Sequence, residues 1–168
     1  DGGDSWNSLY QRLPNSVLSL AIDPQSTLYA GTQSGGVFKS SDSGNSWSAI
    51  NSGLTGLDVR VICLDPLTST TIYAGTASGV YKSTDGGESW KAANAGLPPA
   101  YVPSLSIASQ NTLTLFAGTA GGGVYRSSDA GETWEAINAE LNDTRVEAIA
   151  IDPQTPTKKY AGTYGGGV

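Results

Sequence analysis

Few residues of this 168-residue chain could carry chemistry, and they are carboxylates, guanidinium groups and phenols. Asp58 and Asp143 fall at similar points of two variable segments. Two carboxylates facing each other at about 5–10 Å are what cleavage of a glycosidic bond requires. Glu147 follows the second of them closely. Arg60, Tyr101, Arg145 and Tyr164 lie in or beside the same variable segments, and Tyr and Arg are residue types that suit contact with a sugar or a peptide. Other chemistries are excluded. The chain has no His, so an imidazole base, a Ser-His-Asp relay and an imidazole metal ligand are all impossible. Cys63 is the single Cys, which removes intrachain disulfides and thiolate zinc clusters. Equivalent segments hold Ala or Ser at its position, so it reads as a small packed residue rather than a reactive thiol. No cofactor and no metal site is expected.

The charge balance narrows the partners. The net charge is -6 and the nine basic residues are scattered, whereas nucleic acid demands clustered Lys and Arg. No apolar run approaches the roughly 18–20 residues of a membrane span. Little Lys and much Ser, Thr and Gly lean towards a secreted or periplasmic protein. Asp1 is neither a start Met nor the head of a signal peptide, and it reads as a processed end, a proteolytic end or the edge of an excised fragment.

The elements that must position these residues follow from a repeat. Tyr-Ala-Gly-Thr or Phe-Ala-Gly-Thr begins at Tyr29, Tyr73, Phe116 and Tyr160, at spacings of 44, 43 and 44 residues. A second string begins at Gly36, Gly79 and Gly123; its tail opens the chain and its head closes it. Four missing residues between Val168 and Asp1 would make the total four times 43. The chain therefore reads as four repeats cut inside one of them. Such periods suit propeller blades or helical solenoids. Each repeat carries several Gly and short β-rich runs bounded by turn residues, which decides for blades.

The first repeat predicts strands A to D at 17–23, 27–32, 36–41 and 46–51. Strand A alternates. One face carries Leu20, Ile62, Leu105 and Ile149, then Ile22, Leu64, Ile107 and Ile151; the other carries Ser19, Val61, Ser104 and Ala148, then Ala21, Cys63, Ser106 and Ala150. Large residues on one face and small ones on the other suit an inner strand wedged between neighbouring blades. The expected fold is all-β: a β-propeller of four-stranded antiparallel blades in one domain over 1–168. Its parts are strand D over 1–10, blades at about 17–51, 59–93 and 102–138, and a partial blade at 146–168. The N-terminal strand D is expected to complete that last blade.

The strings Ser40–Trp47, Ser83–Trp90 and Ser127–Trp134 share the pattern Ser-x-Asp-x-Gly-x-Ser/Thr-Trp, and Asp1–Trp6 is the end of a fourth. Each falls between strands C and D. Asp42, Asp85 and Asp129 can there accept backbone N–H groups that the turn leaves unpaired. Gly44, Gly87 and Gly131 supply a positive φ, and Trp47, Trp90 and Trp134 cover the hairpin. Asp1, Gly3 and Trp6 occupy the same slots in the fourth copy. This octapeptide resembles the Asp-box, or BNR, repeat of β-propellers, whose members include sialidases, xyloglucanase-type glycoside hydrolases, sortilin-type receptors and photosystem II assembly-factor-like proteins. The resemblance implies the propeller fold and leaves activity open, since the family mixes enzymes, receptors and assembly factors.

Free sheet edges invite pairing, and three arrangements satisfy them: a four-bladed ring in one chain, a head-to-tail homodimer forming an eight-bladed ring, or a segment of a longer propeller. Variable D–A and B–C loops share one end of the blades and mark the working face. The functional expectation is a non-enzymatic scaffold that binds a glycan or a protein partner through that face. One alternative is a glycoside hydrolase, xyloglucanase- or sialidase-like, using Asp58 and Asp143. Another is an excised or engineered segment with no activity of its own.

Overall fold

Each repeat folds into its own antiparallel sheet, described for residue 13 and residues 15–168 in a computed structural model. The first blade comprises β1 (Val17–Ile22), β2 (Leu28–Thr32), β3 (Gly36–Ser40) and β4 (Ser48–Ala49). The second comprises β5 (Val59–Leu64), β6 (Ile72–Thr76), β7 (Gly79–Ser83) and β8 (Lys91–Ala92). The third comprises β9 (Ser104–Ala108), β10 (Asn111–Thr119), β11 (Gly123–Ser127) and β12 (Glu135–Ala136), and β13 (Val146–Ile151) with β14 (Lys159–Thr163) begin the fourth. Strands pair in chain order within every sheet. The architecture is therefore the expected all-β series of four-stranded blades. The expected strand over 1–10, with Asp1, Gly3 and Trp6, lies outside the described residues.

The inner strands touch across the blades: β1 lies against β5, β5 against β9, and β9 against β13. The alternation of strand A explains the seams. Leu105 and Ile107 of β9 share a core with Val61 and Cys63 of β5, and Ile62 and Leu64 share one with Ala21. The Ile62 N–H donates to Ser19 Oγ at 3.0 Å and the Ile149 N–H to Ser104 Oγ at 2.9 Å. Gly75, in the second Tyr-Ala-Gly-Thr string, permits this closeness, since a Cβ there would stand 2.7 Å from the Val102 carbonyl oxygen. Burial at the seam raises the Cys63 thiol to about 11, so the thiolate is suppressed.

The outermost strand is shorter than expected, two residues rather than six. A side chain replaces the ladder. Asn51 Oδ1 accepts the Val37 N–H at 2.8 Å while Asn51 Nδ2 donates to the Gly35 carbonyl at 2.8 Å. Asn94 and Asn138 repeat the first bond on Val80 and Val124, both at 2.7 Å. In the third blade β10 starts early, at Asn111, where Ala108 stands in place of the Asp-Pro turn and pairs with Asn111 directly.

Candidate functional site

The two ends of the blades are built differently. At one end lie the octapeptides. Ser83 Oγ donates to Asp85 Oδ1 at 2.7 Å and accepts the Gly87 N–H at 2.9 Å. Asp85 in turn accepts the Ser89 N–H at 2.9 Å and the Ser89 hydroxyl at 2.5 Å. Asp42 and Asp129 hold the same bonds with Ser46 and Thr133. The hydroxyl and backbone donors lower each of the three carboxyls to about 2. Gly44, Gly87 and Gly131 adopt φ of 83°, 92° and 84°, as the turn requires. The indoles reach further than their own hairpins. Trp90 Nε1 donates to the Ile50 carbonyl at 2.7 Å and Trp134 Nε1 to the Ala93 carbonyl at 2.9 Å, so each Trp fastens its blade to the preceding one. Trp47 is half-buried in the corresponding position.

At the other end the D–A and B–C loops meet. Ser16, Asp58, Tyr101 and Arg145 occupy equivalent positions before the inner strands; their carbonyls accept the N–H groups of Gln33, Ala77, Ala120 and Tyr164 at 2.9–3.0 Å. One backbone frame thus displays four unlike side chains. Arg60 Nη2 donates to Asp58 Oδ2 at 2.8 Å, and the Arg60 guanidinium lies 4.8 Å from the centre of the Tyr101 ring in the next blade. Arg145 Nε donates to Glu147 Oε1 at 2.8 Å while its guanidinium stacks 3.9 Å from the centre of the Tyr164 ring. Tyr164 is 71% exposed.

Asp58 and Asp143 are not brought together by any bond or shared partner. Asp58 is tied to Arg60. Asp143 Oδ1 accepts the Arg145 N–H at 2.8 Å and Oδ2 the Gly165 N–H at 2.7 Å. These backbone donors hold the Asp143 carboxyl below its ordinary value. The four binding candidates are brought together as two Arg–Tyr couples. The stacking was not anticipated, since each partner sits on a different segment. Nor were the roles of Asn51, Asn94 and Asn138, although their recurrence four residues after each Trp was there to be read.

A small hollow of about 110 Å³ reaches Asp143. Larger ones lie elsewhere, at about 510 Å³ beside Lys82, Lys91 and Glu132 and about 490 Å³ in an apolar groove lined by Phe116, Val124, Ile137 and Tyr160. Among the described residues no group of three His, Cys, Asp or Glu side chains is placed to hold a metal ion. No helix among them is long and apolar enough to cross a membrane.

Four-stranded antiparallel blades packed through their inner strands define a β-propeller domain. Residues 1–120 match the DUF6242 β-propeller domain, and the chain belongs to that family. A search of curated proteins found no match. Among solved structures the chain is similar to an ancestral GH74 enzyme (TM-score 0.78, 23% identity, 94% of this chain and 23% of that one). It is also similar to the extracellular domain of BT4673, a one-component-system protein of B. thetaiotaomicron (0.73, 18%, 94% and 22%). A third is YCF48 from Cyanidioschyzon merolae (0.72, 13%, 95% and 55%). The chain thus spans about a quarter of the first two and about half of the third. At these identities the likeness establishes the fold.

Proposed function

We propose that this domain is a non-enzymatic binding scaffold whose loop rim takes a glycan. The observation that supports this best is the Arg145–Tyr164 couple. The Arg145 guanidinium packs on the ring of Tyr164, a residue that stays 71% exposed, and a second couple joins Arg60 to Tyr101. An exposed ring offers a flat apolar face, and the guanidinium edge offers donors for hydroxyls. A glycosidase reading is disfavoured by the carboxylates. A general acid needs a raised pKa in a dry pocket, whereas backbone donors push Asp143 the other way; the Asp58 carboxylate is engaged in an ion pair with Arg60.

The similar ancestral GH74 enzyme and extracellular BT4673 domain are consistent with a carbohydrate ligand and an exported protein. A protein ligand is the second reading, favoured by the similar YCF48 solved with a D1 peptide bound. A glycan array decides between them: saturable binding without turnover, lost in Tyr164→Ala, is the expected result. Hydrolysis of a chromogenic glycoside that disappears in Asp58→Asn or Asp143→Asn would overturn the proposal.

A further inference from the structure

One seam inside the molecule departs from the repeat. A cavity of about 510 Å³ lies between the second and third blades, lined by Lys82, Lys91, Ala93 and Asn94 of the second and by Glu132 of the third. In the slot of Ala93 the first and third blades hold Ile50 and Ile137. The Ile50 side chain fills its own seam, since its Cδ1 would stand 2.3 Å from a Cβ placed on Gly87. The Ala93 methyl does not reach so far, and the nearest atom to a Cβ on the equivalent Gly131 is Tyr73 Cε1 at 3.2 Å. Both blades have all four strands, so the cavity belongs to a finished seam.

The charges of the cavity break the repeat as well. Lys82 and Lys91 are direct cross-strand partners on β7 and β8. The same two positions hold Lys39 and Ser48 in the first blade, and in the third they hold Arg126 and Glu135, joined as an ion pair. Like charges set directly opposite each other are destabilising. Glu132 answers one of them, with Oε1 3.0 Å from Lys82 Nζ. Lys91 has no ion pair among the described residues. The charged lining therefore carries one positive charge in excess. Neutral donors stand beside it. Asn51 and Asn138 each donate through Nδ2 to a loop carbonyl. Asn94 keeps the Oδ1 bond to Val80, and among the described residues its Nδ2 has no partner. The hydroxyl of Thr84, which also lines the cavity, has none either.

We propose that this cavity binds a small sugar acid, with its carboxylate between Lys82 and Lys91 and its hydroxyls on Asn94 and Thr84. One carboxylate matches the one charge in excess, and it gives the second blade the counter-charge that Glu135 gives Arg126 in the third. A dianion would overshoot that balance. The methyl groups of Ala93 and Ala95 offer the sugar ring an apolar wall, and the volume suits a small ligand. The site is separate from the loop rim, and its failure would leave the reading of the rim untouched.

Titration of the chain with glucuronate, followed by calorimetry and by backbone amide NMR, tests the site. Saturable binding is expected, with shifts centred on the amides of Lys91 to Asn94. Glucose has a similar ring without the carboxylate and should bind at least about tenfold more weakly. Lys91→Gln should cause a similar loss. Ala93→Ile installs the residue of the other two blades and should abolish binding by filling the cavity. Unchanged circular dichroism would show that both variants fold, and Lys91 is exposed on a strand edge where its loss removes no bond. Neither variant should alter glycan binding at the loop rim. Glucuronate that fails to saturate overturns the proposal. So does glucose binding as well as glucuronate, or glucose 6-phosphate binding more tightly than it. Glucuronate binding that Tyr164→Ala abolishes and both Lys91→Gln and Ala93→Ile leave intact would put the acid on the loop rim and overturn the proposal too.

Discussion

The octapeptide end and the loop end hang on the same strands and obey opposite rules. At the octapeptide end the same donor meets the same acceptor blade after blade, at nearly the same distance: Ser46, Ser89 and Thr133 N–H groups reach Asp42, Asp85 and Asp129 at 2.8–2.9 Å. At the loop end the backbone frame repeats equally well, yet it carries Ser16, Asp58, Tyr101 and Arg145 in one slot. Identical chemistry at one end fastens the blades. Divergent chemistry on an identical frame is what a recognition surface needs. If this division is real, substitutions at the first end should cost stability, and substitutions at the second should leave it nearly unchanged.

The largest effect is expected at the indole that crosses a seam. Trp90 is buried at 3% exposure and donates to the Ile50 carbonyl. Trp90→Ala should destabilise by about 3–5 kcal/mol, with the loss of a blade-to-blade bond added to a cavity. Denaturant unfolding measures it, and a loss under about 1 kcal/mol would show that the blades are held by their inner strands alone. Ser83 comes next. Its buried hydroxyl serves Asp85 and the Gly87 N–H at once, so Ser83→Ala should cost about 1–3 kcal/mol. Ser83→Thr retains the hydroxyl and should restore part of that loss, which separates the bonds from simple packing.

The carboxylates of the same turns make the difference pH-dependent. Their folded value of about 2 lies below the ordinary carboxylate value. Ionised, they bind their donors better folded than unfolded. That contribution is fully present above the unfolded value of about 3.9 and is lost as pH falls towards the folded one. Thermal melts of the chain and of a variant with Asp42, Asp85 and Asp129 all changed to Asn should therefore differ most at neutral pH and converge between pH 4 and about 2. Curves separated by a constant interval through that range would mean that the carboxylates act only as hydrogen-bonding shapes.

What could be read from the residues divides along the same line. The alternation of strand A was visible because each seam demands a large face against a small one, and Ser19, Cys63 and Ser106 had no other reason to stay small. The Asp turns were visible because their bonds span only two to four residues. The indole staple was not, since it joins residues 40 apart through a carbonyl that has no residue identity. Asn51 was hidden in the same way, serving the backbone of a strand 14 residues earlier in place of ladder bonds. At the loop end Arg60, Tyr101, Arg145 and Tyr164 were singled out by type alone. Their pairing depends on which blade stands beside which, and Arg60 meets a ring 41 positions away.

The smallest expected change in stability carries the most information about the loop end. Arg145→Lys preserves the charge and the pairing with Glu147 but removes the planar group that stacks 3.9 Å from the centre of the Tyr164 ring. Arg145 is half-exposed, so its contribution to folding is that of a surface ion pair, about 0–1 kcal/mol. The melting temperature should move by no more than about 2–4 °C. Ligand binding should nevertheless fall, because an unstacked ring is free to turn and a point charge presents no donor edge to a sugar. If calorimetry finds affinity unchanged while Tyr164→Ala abolishes it, the ring alone is the platform. If stability collapses instead, Arg145 belongs with the residues that hold the blades, and the division between the two ends fails at its best-defined point.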